Sequence, residues 1–406
     1  MKRLFLAAAL SVACLTSETR AQLAGAPPGS ELTVYLMTMG QGDEVWERYG
    51  HNAIGIRNRL TNTDIVYNWG IFSFGDPGFI ARFLRGDTMY WMAGFDAAAS
   101  VAQYRMMNRT VEVQELNLSP PQRVELLNFI RWNAQEENKF YRYDYFLDNC
   151  STRVRDALNR VLGGAIKQAT DTISTGTSYR WHSLRLMAGD RLTTVGVDIG
   201  LGRPTDRLIT AWEEMFIPMK VRDHLRIVRV PDDSGRLVPL VMSETVLFQA
   251  QREPERKTPP ALFPPLAILG LLLGGGLAWL GRRKHGAAAP LAIAGGIVLG
   301  LLGAVLFLLR FMTLHVATYS NTNMFVYNPI WLAVVVAYFG AGSNATMRRV
   351  VFWLATLAGA LTAFGIVAPF IPGLKQGSFA VIALAAPLGL ATAYVLRERA
   401  RLTQGT

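Results

Sequence analysis

The sequence is poor in the residues that carry metal, redox and phosphate chemistry. It holds two cysteines and five histidines in 406 residues. It has no HExxH pair and no glycine-rich phosphate loop, and its histidines are too scattered to form a metal site. No cofactor and no metal is therefore expected. Cys14 lies in the N-terminal apolar segment, so Cys150 stands alone in the rest of the chain and cannot belong to an internal disulfide framework. Acidic residues are missing altogether between Glu255 and Glu398, an interval filled by long apolar runs. That absence marks a multi-span membrane domain. It also accounts for much of the net charge of +11. Arg282, Arg283, Lys284, Arg348 and Arg349 fall in short loops between spans, and Arg397, Arg399 and Arg401 follow the last one. This is the positive-inside pattern, not a nucleic-acid surface.

What is present begins with Lys2, Arg3, the apolar run Leu4–Leu15 and small residues at Ala21 and Ala24. This reads as a signal peptide, 1–22, with cleavage near Ala21 or Ala24. An exported domain, 23–256, follows. It ends in the charged, proline-rich linker Gln251–Pro260, and a membrane domain occupies 257–406. Spans are expected at about 261–280, 287–309, 329–346, 350–371 and 378–396, each near the ~20 residues that cross a bilayer. With the exported domain outside, the basic loops fall inside. The loop Phe311–Pro329, containing His315, Asn321, Asn323 and Asn328, then faces out, where it suits lipid headgroups, the closing of an active site, or simply solvent.

The exported domain is organised around Tyr141–Asp156, YRYDYFLDNCSTRVRD. Asp148-Asn149 stands where a helix is capped, and Val154, Leu158, Val161 and Leu162 form an apolar stripe after it. Cys150 thus opens a helix. The dipole, the free N–H groups, Arg153 and Arg155 favour a thiolate, while Asp148 opposes it. The same N–H groups could stabilise an oxyanion. The plain alternative is a buried structural cysteine.

Glu31–Gly40 is a strand candidate with Leu32, Val34 and Leu36 on one side. Tyr49–Ile56 and Asp64–Phe72 flank the polar turn Asn58–Thr63 and predict an antiparallel hairpin. His51 sits at its open end and suits a general base. Asn68 orients the imidazole if the register allows. Asp64 competes for that role, and one residue of slip decides between them. Met89–Phe95 and Arg109–Leu118 are further strands, and Ser119-Pro120 opens a helix to about Asn133. Phe79–Leu84 is a short apolar helix or loop suited to packing or to a lipid groove. Trp212–Lys220 suits either a membrane surface or the domain interior.

Tyr49-Gly50-His51-Asn52-Ala53-Ile54-Gly55-Ile56, Tyr67-Asn68-Trp69-Gly70-Ile71-Phe72 and Tyr143–Arg153 resemble the Lnb-like family of bacterial lipoprotein N-acyltransferases. The resemblance extends to the membrane part and its Asn-rich outward loop. It implies an α+β, permuted papain-like (NlpC-type) exported domain followed by a five-helix transmembrane domain. That domain type is similar to lecithin:retinol acyltransferase, with the histidine ahead of the cysteine. The implied enzyme sits in the bacterial inner membrane with its catalytic domain in the periplasm. Cys150 would take an acyl chain from a membrane phospholipid and pass it to the α-amine of diacylglyceryl-cysteine on an apolipoprotein. His51 would act as base and Asn68 would orient it. Arg153, His315, Asn321 and Asn323 are the candidate substrate contacts. Rival readings are a membrane-tethered cysteine amidase or peptidase acting on cell-wall peptides and a non-catalytic assembly protein.

Overall fold

The computed structural model describes residues 26–402 apart from 233 and 343, so the expected signal peptide and Cys14 lie outside the described residues. The chain forms two compact units. One holds the chain up to Ile80, Asp87–Gly176 and Ile209–Glu255; the other holds Ala81–Gly86, Thr177–Leu208 and the chain from Arg256 onward.

The first unit is α+β. The seven strands of its main sheet are β1 (Leu32–Met39), β2 (His51–Asn58), β3 (Thr63–Ile71), β4 (Met89–Asp96), β5 (Val111–Leu116), β6 (Phe140–Arg142) and β7 (Val241–Phe248). They pair antiparallel throughout, in the order β7-β5-β1-β2-β3-β4-β6. The expected hairpin is β2–β3. The expected face of β1, Leu32, Val34 and Leu36, is buried with Leu126 and Ile130 of the helix Pro120–Asn133 and with Val154, Leu158 and Val161 of the Cys150 helix. Tyr35, Met37 and Met39 are buried too, because the helix Ala97–Met106 covers the opposite face. A strand covered on both sides carries apolar residues at every position, which blurs the period-2 pattern. Trp69 is fully buried, and its indole N–H donates to Asn133 Oδ1 at 2.7 Å, which locks β3 to the end of the helix Pro120–Asn133. Met215, Phe216 and Ile217 are also fully buried. The stretch Trp212–Lys220 therefore packs within the domain.

The second unit contains five helices long and apolar enough to cross a bilayer: Phe263–Arg283, Gly286–Phe311, Thr322–Ala341, Ala345–Phe370 and Phe379–Arg401. The first packs against the last through small residues. A Cβ at Gly270 would lie 2.2 Å from Ala383 O, and one at Gly274 would lie 2.4 Å from Pro387 O. Close backbone approach of this kind is how helices associate where no hydrophobic drive separates side chain from lipid.

The stretch Thr177–Leu208 belongs to this unit and is held by a buried arginine. Arg180 donates to Asp206 Oδ1 at 2.8 Å, to Asp198 Oδ1 at 2.7 Å and to Leu201 O at 2.7 Å. Burial raises the Asp198 carboxyl above its ordinary range, and the Arg180 charge opposes that shift. Gly202 lies against the loop that follows the second span, with its N–H on Ala317 O at 2.8 Å. A Cβ there would stand 2.0 Å from Tyr319 O, whereas Gly200 has nothing within 4 Å. Gly202→Ala is therefore expected to lower the melting temperature of the detergent-solubilised protein by several degrees, an overpacking cost of about 1–3 kcal/mol. Gly200→Ala should not, and equal melting of the two variants would refute this packing.

Candidate active site

Asn149, not Asp148, caps the Cys150 helix. Its Oδ1 accepts from the backbone N–H groups of Ser151 and Thr152, both at 2.9 Å. Its own N–H donates to Thr152 Oγ1 at 2.8 Å, and its Nδ2 donates to Tyr145 O and Phe216 O. A cap of this kind contributes about 1 kcal/mol, and here it also fixes where the helix begins. Asp148 turns instead to Arg153, with Nη2 to Oδ2 at 2.6 Å. The Arg153 guanidinium lies over the Tyr141 ring, 4.1 Å from its centre. Cys150 is half-buried in the first turn, its Sγ 3.9 Å from Ser151 Oγ.

The sulfur meets the sheet at the end of β2. The β2–β3 ladder runs from Asn58↔Thr63 to Ala53↔Asn68 and stops there. Gly70 then takes φ +86°, which a side chain would strain. Beyond the end of the ladder, the N–H of Asn52 serves the Cys150 sulfur. Asn52 is itself pinned: its Nδ2 donates to Thr38 Oγ1 at 2.9 Å, and its Oδ1 accepts from Ser151 Oγ at 3.1 Å. A buried relay of Thr38, Asn52 and Ser151 thus ties the strand to the helix.

His51 precedes Asn52, which brings the imidazole and the thiol to one end of the sheet. The register resolves the choice between Asn68 and Asp64. His51 Nε2 lies 2.9 Å from Asn68 Oδ1. Asn68 Nδ2 donates to Val66 O at 3.1 Å, so the amide oxygen is the atom presented to the ring. Nε2 therefore carries the proton, and the Nδ1 lone pair is the available base. Asp64 is elsewhere, accepting from Tyr35 Oη at 2.6 Å and Arg57 Nε at 2.9 Å.

The electrostatics correct the expectation of a ready thiolate. Burial pushes the Cys150 thiol up, against the pull of Ser151 Oγ, the N–H groups of Asn52 and Ser151, and the Arg109 charge. Burial, joined by Arg109, lowers His51 to about 4, while the bond to Asn68 works the other way. At rest the thiol and the imidazole are therefore each neutral. Such a pair reacts by general-base transfer as the bond forms, with no preformed ion pair. Arg109 is 4% exposed, donates to Gly40 O at 2.9 Å and pairs with Glu47 at 3.2 Å.

The remaining predicted residues lie in the second unit. Asn321 and Asn323 are buried. Asn321 Nδ2 donates to Ile199 O and Gly200 O, and its Oδ1 accepts from Asn323 N and Gln376 Nε2. Asn323 Nδ2 donates to Asp198 O and Ile199 O, and its Oδ1 accepts from Ser378 Oγ. Both amides are thus spent on holding the stretch 198–200, which replaces the expectation of a solvated, headgroup-facing loop at these two positions. His315 is half-buried and lies 3.0 Å from Phe83 O, to which its Nε2 donates. Asn52, Ser151 and Arg109 were not singled out from sequence. Asn52 had a signal in its adjacency to His51. Arg109 had none, because a lone arginine at a strand start reads as solvated.

Aromatic rings lead away from the thiol. An ideal Cβ at Gly70 would lie 3.3 Å from Cys150 Cβ and 3.6 Å from Tyr143 Cε2. Tyr143 stacks on Tyr90 at 4.3 Å, Tyr90 meets Phe72 at 5.1 Å, and Phe72 meets Phe74 at 5.0 Å. Trp46 closes on Phe74 at 5.4 Å, and both of these rings are more than half exposed. The row runs from the sulfur to the surface of the unit.

Comparison with known families gives two matches: the Lnb N-terminal periplasmic domain over residues 21–187 and the Lnb transmembrane domain over residues 257–401. No curated protein and no solved structure matches the chain.

Proposed function

Because this chain belongs to the Lnb-like family, as a multi-pass membrane protein with a periplasmic N-terminal domain, we propose that it is a lipoprotein N-acyltransferase of the bacterial inner membrane. In this reading residues 1–22 are its signal peptide, 23–256 its catalytic domain and 257–406 its membrane domain. Its acyl donor is a membrane phospholipid, and its acceptor is the α-amine of diacylglyceryl-cysteine on an apolipoprotein. The observation that carries the proposal is a neutral Cys150 thiol and a neutral His51 imidazole oriented by Asn68, both at one end of the sheet, with an aromatic row that leads from the cysteine to the surface. A polar peptide gains little from such a row, whereas an acyl chain buries against it at roughly 25 cal/mol per Å² of apolar surface.

The reaction has two halves. In the first, Cys150 Sγ attacks the ester carbonyl carbon as His51 Nδ1 takes the thiol proton. The tetrahedral intermediate collapses, the C–O bond breaks, and the His51 proton goes to the departing glycerol oxygen. Lysophospholipid leaves and a Cys150 thioester remains. In the second half the acceptor amine attacks the thioester and loses a proton to His51. The C–S bond breaks, and the thiolate recovers that proton. Splitting the exchange in this way lets two insoluble substrates react in turn at one site. Arg153 covers the Tyr141 ring and pairs with Asp148.

Intact-mass analysis of the full-length protein with isotopically labelled phospholipid vesicles tests the proposal. The expected result is an acyl adduct on Cys150 that a diacylglyceryl-cysteinyl peptide discharges, with the label appearing on its amine. A label that never reaches Cys150 would defeat the transferase reading. A label that leaves only as free fatty acid would make the protein a hydrolase.

A further inference from the structure

We propose that Tyr141 is a catalytic residue of this site, its phenol hydroxyl donating a hydrogen bond to the oxyanion that forms when Cys150 attacks an acyl carbonyl. This rests on the Cys150 acyl-enzyme proposed above. Tyr141 is 6% exposed, and its Oη has no hydrogen-bond partner among the described residues. A buried hydroxyl left unpaired is costly and calls for an explanation. Its position supplies one. The point where a Cβ at Gly70 would stand is 3.7 Å from Tyr141 Oη and 3.3 Å from Cys150 Cβ. Gly70 puts no side chain at that point, and the orphaned hydroxyl and the Cys150 side chain both border it.

Two of the usual donors are committed elsewhere. A cysteine at a helix start commonly relies on first-turn N–H groups for its oxyanion, but those of Ser151 and Thr152 are held by the Asn149 side chain. The phenol is also well prepared. Its backbone is fixed by the pairing Tyr90↔Tyr141 between β4 and β6, and its ring by Arg153, itself gripped by Asp148. Burial holds its ionisation well above the ordinary phenol range, so it stays a neutral donor. A donor fixed before the charge develops needs no reorganisation when the charge appears. In the acylation step Sγ bonds to the carbonyl carbon, the carbonyl π pair moves to oxygen, and that oxygen accepts from Tyr141 Oη–H without taking its proton. The bond is lost again when the C–O bond to the leaving group breaks.

Tyr141→Phe removes the hydroxyl alone and leaves the ring beneath Arg153. The full-length protein in detergent is given p-nitrophenyl octanoate, and both the burst of p-nitrophenol and the mass added to Cys150 are followed. Iodoacetamide alkylation of Cys150, which passes through no oxyanion, is run in parallel. Acylation is expected to fall about 100-fold, the usual loss for one such donor. Alkylation should stay within about twofold, and the melting temperature should not fall, because the deleted hydroxyl had no partner. Wild-type acylation rates in Tyr141→Phe overturn the inference. So does an equal fall in acylation and alkylation, which would make Tyr141 a support for the nucleophile only. A wild-type protein acylated by the nitrophenyl ester but not by phospholipid sinks the lipid-donor reading and leaves this inference standing. A wild-type protein that neither ester acylates defeats both.

Discussion

Cys150→Ala is expected to abolish acyl transfer, and Cys150→Ser to lower it by about three orders of magnitude or more, the scale seen when a nucleophile is removed. The serine variant is the more instructive. His51, held near 4, is a weak base. A thiol, even one raised by burial, is still far more acidic than a hydroxyl, so a weak base deprotonates the first and not the second. The substitution also leaves the helix start alone, because the cap is made by Asn149 and not by residue 150. Both variants should therefore fold and carry no thioester. The measurement is N-acylation of a diacylglyceryl peptide by purified protein in phospholipid vesicles. Retention of a tenth of wild-type activity by Cys150→Ala would remove the cysteine from the mechanism.

His51→Ala should reduce turnover by about 10²–10⁴-fold, the usual worth of a general base, with the fold retained. The pH dependence gives a sharper readout. His51 must be neutral to act, so activity should rise as pH increases through about 4 and stay level across neutral pH. A preformed thiolate–imidazolium pair would behave differently, losing activity as the imidazolium deprotonates. Asn68→Ala frees the Nε2 hydrogen and should cost less than His51→Ala, because the ring keeps its place at the strand end. Asn68→Asp sets a carboxylate against Nε2, favours the imidazolium, and should move the acid limb upward from about 4 toward ordinary histidine values. Activity at pH 5 should then fall relative to pH 7. An acid limb that does not move in Asn68→Asp would mean that His51 and Asn68 are not coupled in solution.

Much of this molecule was legible along the chain because the signals are local. An interval without acidic residues and filled with apolar runs has one stable destination, and five helices long enough to span are there. The order Asp148-Asn149-Cys150 marks a helix start, and the polar turn 58–63 marks a hairpin, since capping and turn chemistry act within a few residues. The cysteine, the histidine and the asparagine were each visible in this way. Their meeting was not. Whether Asn68 or Asp64 faces His51 depends on a β-ladder register that one residue of slip reverses. The charge state of His51 was decided by burial and by Arg109, which stands just before a strand two places away in the sheet, and that of Cys150 by burial acting against Arg109. Desolvation depends on everything packed around a group, so a helix dipole read from sequence could not foretell a raised thiol. Asn321 and Asn323 read as solvated loop residues, yet their amides are spent on carbonyls about 120 positions earlier in the chain. The orphaned hydroxyl of Tyr141 likewise exists only because distant segments close around it, and no pattern along the chain records that.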